Sequence, residues 1–207
     1  MGSLDMRDFL REVAVKSRAH DRELAEIITR ESGKPLIECL DEIEWIASIF
    51  EYYSEIGRDQ RGRVVAPVTA RSMIMVVKES YGVVGCIVPW NYPVTLAISK
   101  IAPAMAAGCT LVIKPSPGTV LDSYILAEAA LEADVPAGVL NWVAADREVG
   151  AYLVSHPDVD KVAFTGSSAA GRLIAETCGG LLRPVTLELG GKSAAIVLED
   201  ADIDVFI

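Results

Sequence analysis

The sequence is poor in histidine, with only His20 and His156 among its 207 residues. A histidine-rich zinc site or a Ser-His-Asp triad therefore has little to be built from, and we expect no metal site. The chain has four cysteines without a Cys-x-x-Cys pair, which are Cys39, Cys86, Cys109 and Cys178. Their apolar neighbours predict reduced, packed thiols and a cytoplasmic location.

Positive charge is also scarce, since 19 Lys and Arg stand against 29 Asp and Glu for a net charge of −10. An acidic surface repels phosphate groups, so we expect neither a nucleic-acid nor a membrane partner. No stretch reaches the ~18 uninterrupted apolar residues of a spanning helix. The charged N-terminus predicts no export signal. Apolar residues make up 51% of the chain, which is typical of a globular protein with a sizeable core.

The first 80 residues predict two helices and a strand. Apolar positions at helical spacing predict one amphipathic helix over 5–31 and a second from 36 to about 56. The sequence between them, Ser32-Gly33-Lys34-Pro35, is typical of a helix stop followed by a restart. The segment 71–79 predicts a strand that is apolar on both faces, which favours pairing on each side or a subunit contact.

From residue 81 onward, short apolar runs alternate with helical patterns. The predicted strands are 83–88, 110–113, 139–143, 161–165, 185–189 and 194–198. The predicted helices are 95–107, 120–132, 148–155 and 169–178. Pro103 is expected to kink or divide the first of these helices. Apolar strands separated by helices predict an α/β fold with a Rossmann-like, doubly wound parallel sheet.

Two common phosphate-binding patterns are absent. No segment matches the Gly-x-Gly-x-x-Gly dinucleotide fingerprint. The glycines at 166 and 171 have the spacing of a P-loop, but Arg172 and Leu173 follow where Lys and Ser or Thr are required. This excludes a P-loop NTPase.

Four other segments lie at or just past the carboxyl ends of predicted strands, where open α/β sheets bind ligands. They are Pro-Trp-Asn-Tyr-Pro at 89–93, Lys-Pro-Ser at 114–116, Phe-Thr-Gly-Ser at 164–167 and Leu-Glu-Leu-Gly-Gly-Lys-Ser at 187–193. With these motifs in this order, the chain resembles the NAD(P)-dependent aldehyde dehydrogenase superfamily from about residue 7 to its end. The resemblance implies oxidation of an aldehyde to a carboxylic acid with NAD or NADP, through a cysteine thiohemiacetal and thioester.

The resemblance implies catalytic roles for Asn91 and Glu188. Taken alone, Asn91 is an ordinary turn residue between two prolines. Its family role is to donate a hydrogen bond to the oxygen that gains charge when the carbonyl is attacked. Glu188 is either an edge residue that faces water or a partly desolvated carboxylate with a raised pKa. In the family, the matching glutamate activates the hydrolytic water.

The resemblance also implies a set of cofactor-binding residues, which are Pro89, Trp90, Lys114, Ser116, Gly166, Ser167 and Leu189. The matching lysine reaches the adenosine ribose, although a lysine at a strand end is usually just solvated. Ser167 is also a good helix N-cap, and the same helix start presents free N–H groups to a pyrophosphate. Pro117 replaces a glutamate that holds the ribose in many members, which predicts tolerance of NADP and weaker binding of NAD.

The nucleophilic cysteine of the family lies beyond the motif at 187–193, and none of the four cysteines matches its context. We therefore expect a truncated aldehyde dehydrogenase fold that is inactive alone. Residues 1–62 and 81–190 form the expected cofactor-binding domain, 63–80 resemble the family's oligomerisation ribbon, and 191–207 begin a catalytic domain. The alternatives are a non-catalytic dinucleotide-binding or interaction protein, or half of a split enzyme. Expected partners are an aldehyde, and a second copy or a complementing C-terminal chain.

Overall fold

A five-stranded parallel sheet is the centre of the structure, a computed structural model that describes residues 3–57, 59, 62–69 and 71–206. The strands are β3 (Val83–Ile87), β4 (Thr110–Lys114), β5 (Leu140–Trp142), β6 (Lys161–Thr165) and β7 (Val185–Glu188). Their order is β5-β4-β3-β6-β7, and every neighbouring pair is parallel. The chain therefore winds outward from β3 in both directions, as the alternating pattern predicts.

The helices that connect these strands cover both faces of the sheet. They are α4 (Pro93–Ala106), α5 (Leu121–Glu132), α6 (Arg147–Ser155) and α7 (Ser168–Gly180). Side chains of β3 alternate between the two faces: Val84 and Cys86 belong to the core with α4 and α5, and Val83 and Ile87 pack with α6 and α7. This alternation explains why the strand is apolar throughout.

Three helices precede the sheet and thicken one of its faces. They are α1 (Ser3–Ala19), α2 (Asp21–Ser32) and α3 (Leu36–Ile56). Leu10, Ile28 and Phe50, one from each helix, are almost fully buried in the same core as α4 and α5. As predicted, Gly33 ends α2: it adopts φ +75°, and its N–H donates to Thr29 O at 2.9 Å.

The prediction of a single helix over 5–31 is wrong, because the chain breaks at His20 between α1 and α2. The imidazole lies beside Glu23 and Glu132, at 3.2 and 3.5 Å. Hydrogen bonding to Glu23 raises the pKa of His20 above its ordinary value. The spacing of apolar residues cannot detect a break of one residue in a helix. Nor can it show the contact between His20 and Glu132, because Glu132 is distant in sequence.

Residues 63–76 contain a separate two-stranded antiparallel sheet. Its strands are β1 (Arg63–Val65) and β2 (Ile74–Val76), with Val64 opposite Met75. The predicted strand at 71–79 is thus shorter than expected and pairs on one side only within the described chain. The side chains of Val64 and Met75 are exposed.

Two other expectations need correction. Helix α4 continues through Pro103, so this proline does not divide the helix. The segment 194–198 is not a strand: it is irregular and exposed in the described chain. An apolar run needs a neighbouring strand for its backbone hydrogen bonds, and no described segment pairs with it.

The last helix of the described chain, α8 (Ile203–Phe206), follows this segment. None of the described helices combines the length and the hydropathy that are needed to span a bilayer.

Candidate active site

The carboxyl ends of four neighbouring strands bring the predicted site residues to one edge of the sheet. Ile87 at the end of β3 pairs with Lys114 on one side and Phe164 on the other, and Thr165 pairs with Glu188. Strand order reverses between β3 and β6, which is the switch point where open α/β sheets hold ligands. Adjacent strands are ~4.8 Å apart, so this edge spans about 14 Å from β4 to β7.

A cavity of about 190 Å³ opens at this edge between α6 and α7. Its lining includes Lys114, Arg147, Gly150, Phe164 and Leu173. The Lys114 side chain is buried, and Nζ donates to Pro115 O and Ala145 O at 2.8 Å each. Burial lowers the pKa of Lys114, and the nearby Asp146 charge opposes that shift. The Lys114 ammonium is thus fixed at the cavity wall by two hydrogen bonds, and it is not a solvated residue at a strand end.

Gly150 keeps the cavity open beside this lysine. A Cβ atom at position 150 would lie 3.2 Å from Lys114 Cε. Helix α6 is capped by Asp146, whose Oδ1 accepts from Glu148 N and Val149 N at 3.1 and 3.2 Å. The absence of a side chain at Gly150 thus leaves space beside the buried Lys114 ammonium at the cavity wall.

The start of α7 lies at the same edge of the sheet. Ser167 is the N-cap, and its Oγ accepts from Ala170 N at 3.2 Å. The other N–H groups of the first turn have no acceptor within the helix, and they carry the positive end of the helix dipole. The N-cap interpretation and the anion-binding interpretation of Ser167 are therefore compatible. Leu189 lies against this turn, 2.5 Å from the position of a Cβ on Gly171.

The ring of Phe164 leaves no room for a side chain at Gly166, so a Gly166→Ala variant should be destabilised by about 1–3 kcal/mol. The added Cβ would lie 2.6 Å from Phe164 Cζ, and this ring is buried and has little room to move. Gly179→Ala in α7 is the matched control, because nothing lies within 4 Å of its Cβ. Urea unfolding of both variants measures the difference, and equal midpoints would contradict the argument.

The remaining predicted cofactor residues surround the same edge. Ser116 Oγ accepts from Gly118 N at 3.3 Å, so this hydroxyl shapes the turn after β4. Pro89 is half-buried and Trp90 is exposed, and both follow β3 directly. A second cavity of about 300 Å³ lies beside α5, but none of its described lining residues is charged. The smaller cavity is therefore the better candidate for a phosphate-bearing ligand.

Asn91 lies in the turn between β3 and α4. Its side chain is exposed and has no hydrogen-bond partner among the described residues, so the amide is free to donate to a ligand. Glu188 ends β7, and its backbone carbonyl accepts from Gly166 N at 3.0 Å. Of the two alternatives for Glu188, the described chain shows the edge residue that faces water, since Glu188 is exposed at the end of the edge strand β7.

Lys100 lies at the same edge of the sheet and matches none of the four motifs. Its Nζ donates to Thr165 Oγ1 at 2.6 Å and to Leu96 O at 3.0 Å, which places an ammonium beneath the carboxyl end of β6. Burial lowers the pKa of Lys100, and the negative charge of Glu188 opposes that shift. A lone lysine in an otherwise apolar helix was the available signal, since a buried ammonium needs partners.

All four cysteines are buried and free. Burial raises the pKa of Cys86 to about 12 and raises that of Cys178 as well. A nucleophilic cysteine needs an accessible thiolate, so these two are packing residues. Within the described residues there is no cluster of three or more His, Cys, Asp or Glu that could hold a metal ion.

A family model described as the aldehyde dehydrogenase family matches residues 4–207. Geranial dehydrogenase from Castellaniella defragrans is 54% identical over 200 residues. Aminoaldehyde dehydrogenase 1 from Pisum sativum is 44% identical over 209 residues, and succinate-semialdehyde dehydrogenase from Arabidopsis thaliana is 43% identical over 190. These matches cover 96%, 98% and 91% of this chain. The chain spans only 42%, 41% and 36% of the relatives' own lengths.

Solved structures match the same region. An NADP-dependent enzyme from E. coli superimposes with a TM-score of 0.92 at 38% identity, covering 99% of this chain and 43% of its own. An NAD-dependent aldehyde dehydrogenase from Sinorhizobium meliloti superimposes with a TM-score of 0.92 at 36% identity, and the match covers 100% of this chain and 41% of the other. A betaine aldehyde dehydrogenase variant from Staphylococcus aureus, solved in complex with NAD+, superimposes with a TM-score of 0.92 at 33% identity, and the match covers 99% of this chain and 42% of the other.

Proposed function

The chain belongs to the aldehyde dehydrogenase family, and on that premise we propose that it supplies the NAD(P)-binding part of an enzyme that oxidises an aldehyde to a carboxylic acid. The observation that carries this proposal is the cavity between α6 and α7, with the buried Lys114 at its wall and the start of α7 beside it. In this proposal, Lys114 and Gly150 seat the adenosine ribose, and the first turn of α7 receives the pyrophosphate. The bound nicotinamide supplies the hydride acceptor.

Two of the chain's own residues contribute to the chemistry in this proposal, and the nucleophilic thiol is supplied by a group other than its four buried cysteines. Asn91 donates a hydrogen bond to the aldehyde oxygen as it gains negative charge. Glu188 accepts a proton from the water that releases the acid. Both assignments are supported by their place at the carboxyl ends of β3 and β7 and by the free, exposed side chains. Pro89, Trp90, Ser116 and Leu189 line the path of the cofactor in this proposal.

Titration of the 207-residue chain with each cofactor tests the function and the cofactor choice together. We expect NADP to bind at least as tightly as NAD, because Pro117 supplies no carboxylate to hold the ribose hydroxyls and Arg147 lines the same cavity. Pro117→Glu should weaken NADP by about tenfold (~1.4 kcal/mol) through repulsion of the 2′-phosphate. Isothermal titration calorimetry measures both constants.

Two controls accompany this titration. Pro117→Gln changes the backbone restraint and side-chain size without the charge, so it should keep the wild-type ratio of the two constants. Lys114→Met should weaken both cofactors, since it removes the buried ammonium. Absence of binding by the folded wild-type chain would refute the proposed function, and a strong NAD preference unchanged by Pro117→Glu would refute only the cofactor choice.

A second candidate is a non-catalytic dinucleotide-binding protein or one half of a split enzyme. The burial of all four cysteines favours it, because no accessible thiol is present to attack an aldehyde. Aldehyde-dependent formation of NAD(P)H by the 207-residue chain would exclude this candidate. Activity that appears only when a second chain is added would identify the split enzyme.

The domain assignment and the partners are also part of this proposal. Residues 1–62 and 81–190 form the cofactor-binding domain, and 191–207 lead into the catalytic domain. The exposed apolar side chains of the β1–β2 ribbon support a role of 63–80 in contact with a second copy or another chain. The four free, buried cysteines support a cytoplasmic location.

A further inference from the structure

One ion pair outside the cofactor cavity has both of its side chains buried. Lys34 Nζ lies 2.6 Å from Glu42 Oε2, with the two side chains 8% and 0% exposed. Every other ion pair between two described residues has both side chains at least 24% exposed. Removing two charges from water is costly, so a buried pair needs further contacts that hold its geometry.

The second oxygen of Glu42 makes such a contact at the start of α4. Thr95 N, in the first turn of this helix, donates to Glu42 Oε1 at 2.9 Å. Tyr92 is the N-cap of α4 and provides no side-chain hydrogen bond to it. A carboxylate from α3 therefore replaces the local cap, where it also interacts favourably with the helix dipole.

Lys34 contacts the same turn from the other side. Its Nζ lies 3.4 Å from the centroid of the Tyr92 ring, in the geometry of a cation–π contact. Lys34 follows Gly33 in the short connection between α2 and α3. The pair thus holds both Tyr92 and Thr95, the first of which directly follows Asn91.

We infer that Lys34 and Glu42 are positioning residues that hold the turn presenting Asn91, an inference that rests on the proposed role of Asn91 in carbonyl polarisation. A helix N-cap is normally a short polar residue whose side-chain oxygen accepts from the first turn, and Tyr92 cannot do this. Capping by Glu42 instead restrains the backbone on the C-terminal side of Asn91, whose own side chain has no hydrogen-bond partner among the described residues. Neither charged residue contacts the reacting groups in this arrangement.

The first test compares Glu42→Gln with Glu44→Gln in the 207-residue chain. Glu42→Gln keeps the side-chain length and an acceptor for Thr95 N but loses the charge that pairs with Lys34. Glu44→Gln is the matched control, because Glu44 on the same helix also forms an ion pair, in its case with Arg18 at 3.0 Å on the exposed side. We expect the NMR signals of the Asn91 side-chain amide to shift in Glu42→Gln only. Unshifted Asn91 signals in a folded Glu42→Gln chain would overturn the inference.

The second test uses an active enzyme that contains this chain. Glu42→Gln should lower kcat about tenfold without changing cofactor affinity, and adding it to Asn91→Ala should cause no further loss. If Glu42→Gln lowers kcat by the same factor in the wild-type enzyme and in the Asn91→Ala variant, Glu42 does not act through Asn91, and the inference is overturned. If Asn91→Ala itself leaves kcat unchanged, the proposed role of Asn91 fails, and the NMR comparison still decides whether the pair positions the turn.

A double variant allows the same test if Glu42→Gln alone does not fold. Lys34→Met with Glu42→Gln leaves no unpaired buried charge, so the double variant should fold. It should bind cofactor normally and still show shifted Asn91 signals, because the cation over the Tyr92 ring is gone. Wild-type Asn91 signals in this double variant would show that the turn is held without the pair, which overturns the inference.

Discussion

Asn91→Ala should lower kcat by about 10²–10³-fold in an active enzyme that contains this chain. The variant removes a hydrogen-bond donor aimed at the oxygen that becomes negatively charged, so the loss falls on the transition state and little on the ground state. Asn91 is exposed and unpaired among the described residues, so the fold should tolerate the change. Steady-state kinetics with saturating cofactor measures the loss.

Cofactor binding separates this effect from general damage. The cavity that holds Lys114 lies between α6 and α7, so the dissociation constant for NAD(P) should stay at its wild-type value in Asn91→Ala. Ser99→Ala on the exposed side of α4 is the control, because its hydroxyl bonds only to Leu96 O. A loss in kcat of less than about threefold would contradict an oxyanion role, since one donor normally contributes far more.

Glu188→Gln should slow turnover by about 10²–10⁴-fold, the usual contribution of a general base. The amide has nearly the same shape as the carboxylate but cannot accept the proton of the attacking water. The backbone carbonyl at position 188 still accepts from Gly166 N, so the end of β7 should be retained. The proposed defect lies in release of the acid, after hydride transfer.

Pre-steady-state kinetics can locate this defect. Glu188→Gln should still form about one equivalent of NAD(P)H per site and then stop, because the acyl group accumulates on the enzyme. Added hydroxylamine, a nucleophile that needs less help from a base, should partly restore turnover. Glu176→Gln, at an exposed position of α7, should turn over normally. Loss of the first equivalent of NAD(P)H would instead place Glu188 before hydride transfer.

The alternating strands and helices were predictable because each of them depends on local periodicity. The predicted strand 161–165 coincides with β6 (Lys161–Thr165), and the helix stop at Gly33 appears with the expected positive φ. The apolar run at 194–198 was mispredicted because hydrophobicity alone does not supply a pairing partner. The break at His20 was missed because the glutamate that His20 contacts there, Glu132, is more than a hundred residues away in sequence.

Part of the candidate site was equally predictable. Lys114, Gly166 and Glu188 were identified by motif and by their position at strand ends, and strand order places them along one edge. Lys100 was missed, since its hydrogen bond to Thr165 crosses 65 positions. The link from Glu42 to Thr95 crosses 53 positions and was invisible for the same reason.

The sequence by itself determined the class of fold, the family and the candidate residues of the site, because periodicity and motifs are properties of neighbouring residues. Only the tertiary structure decided which of these residues have a free side chain and which are held by partners. Lys114 became a buried, oriented donor, Asn91 kept a free amide and Glu188 became exposed. Burial and hydrogen bonding set these states, and both depend on packing between segments that are distant in sequence.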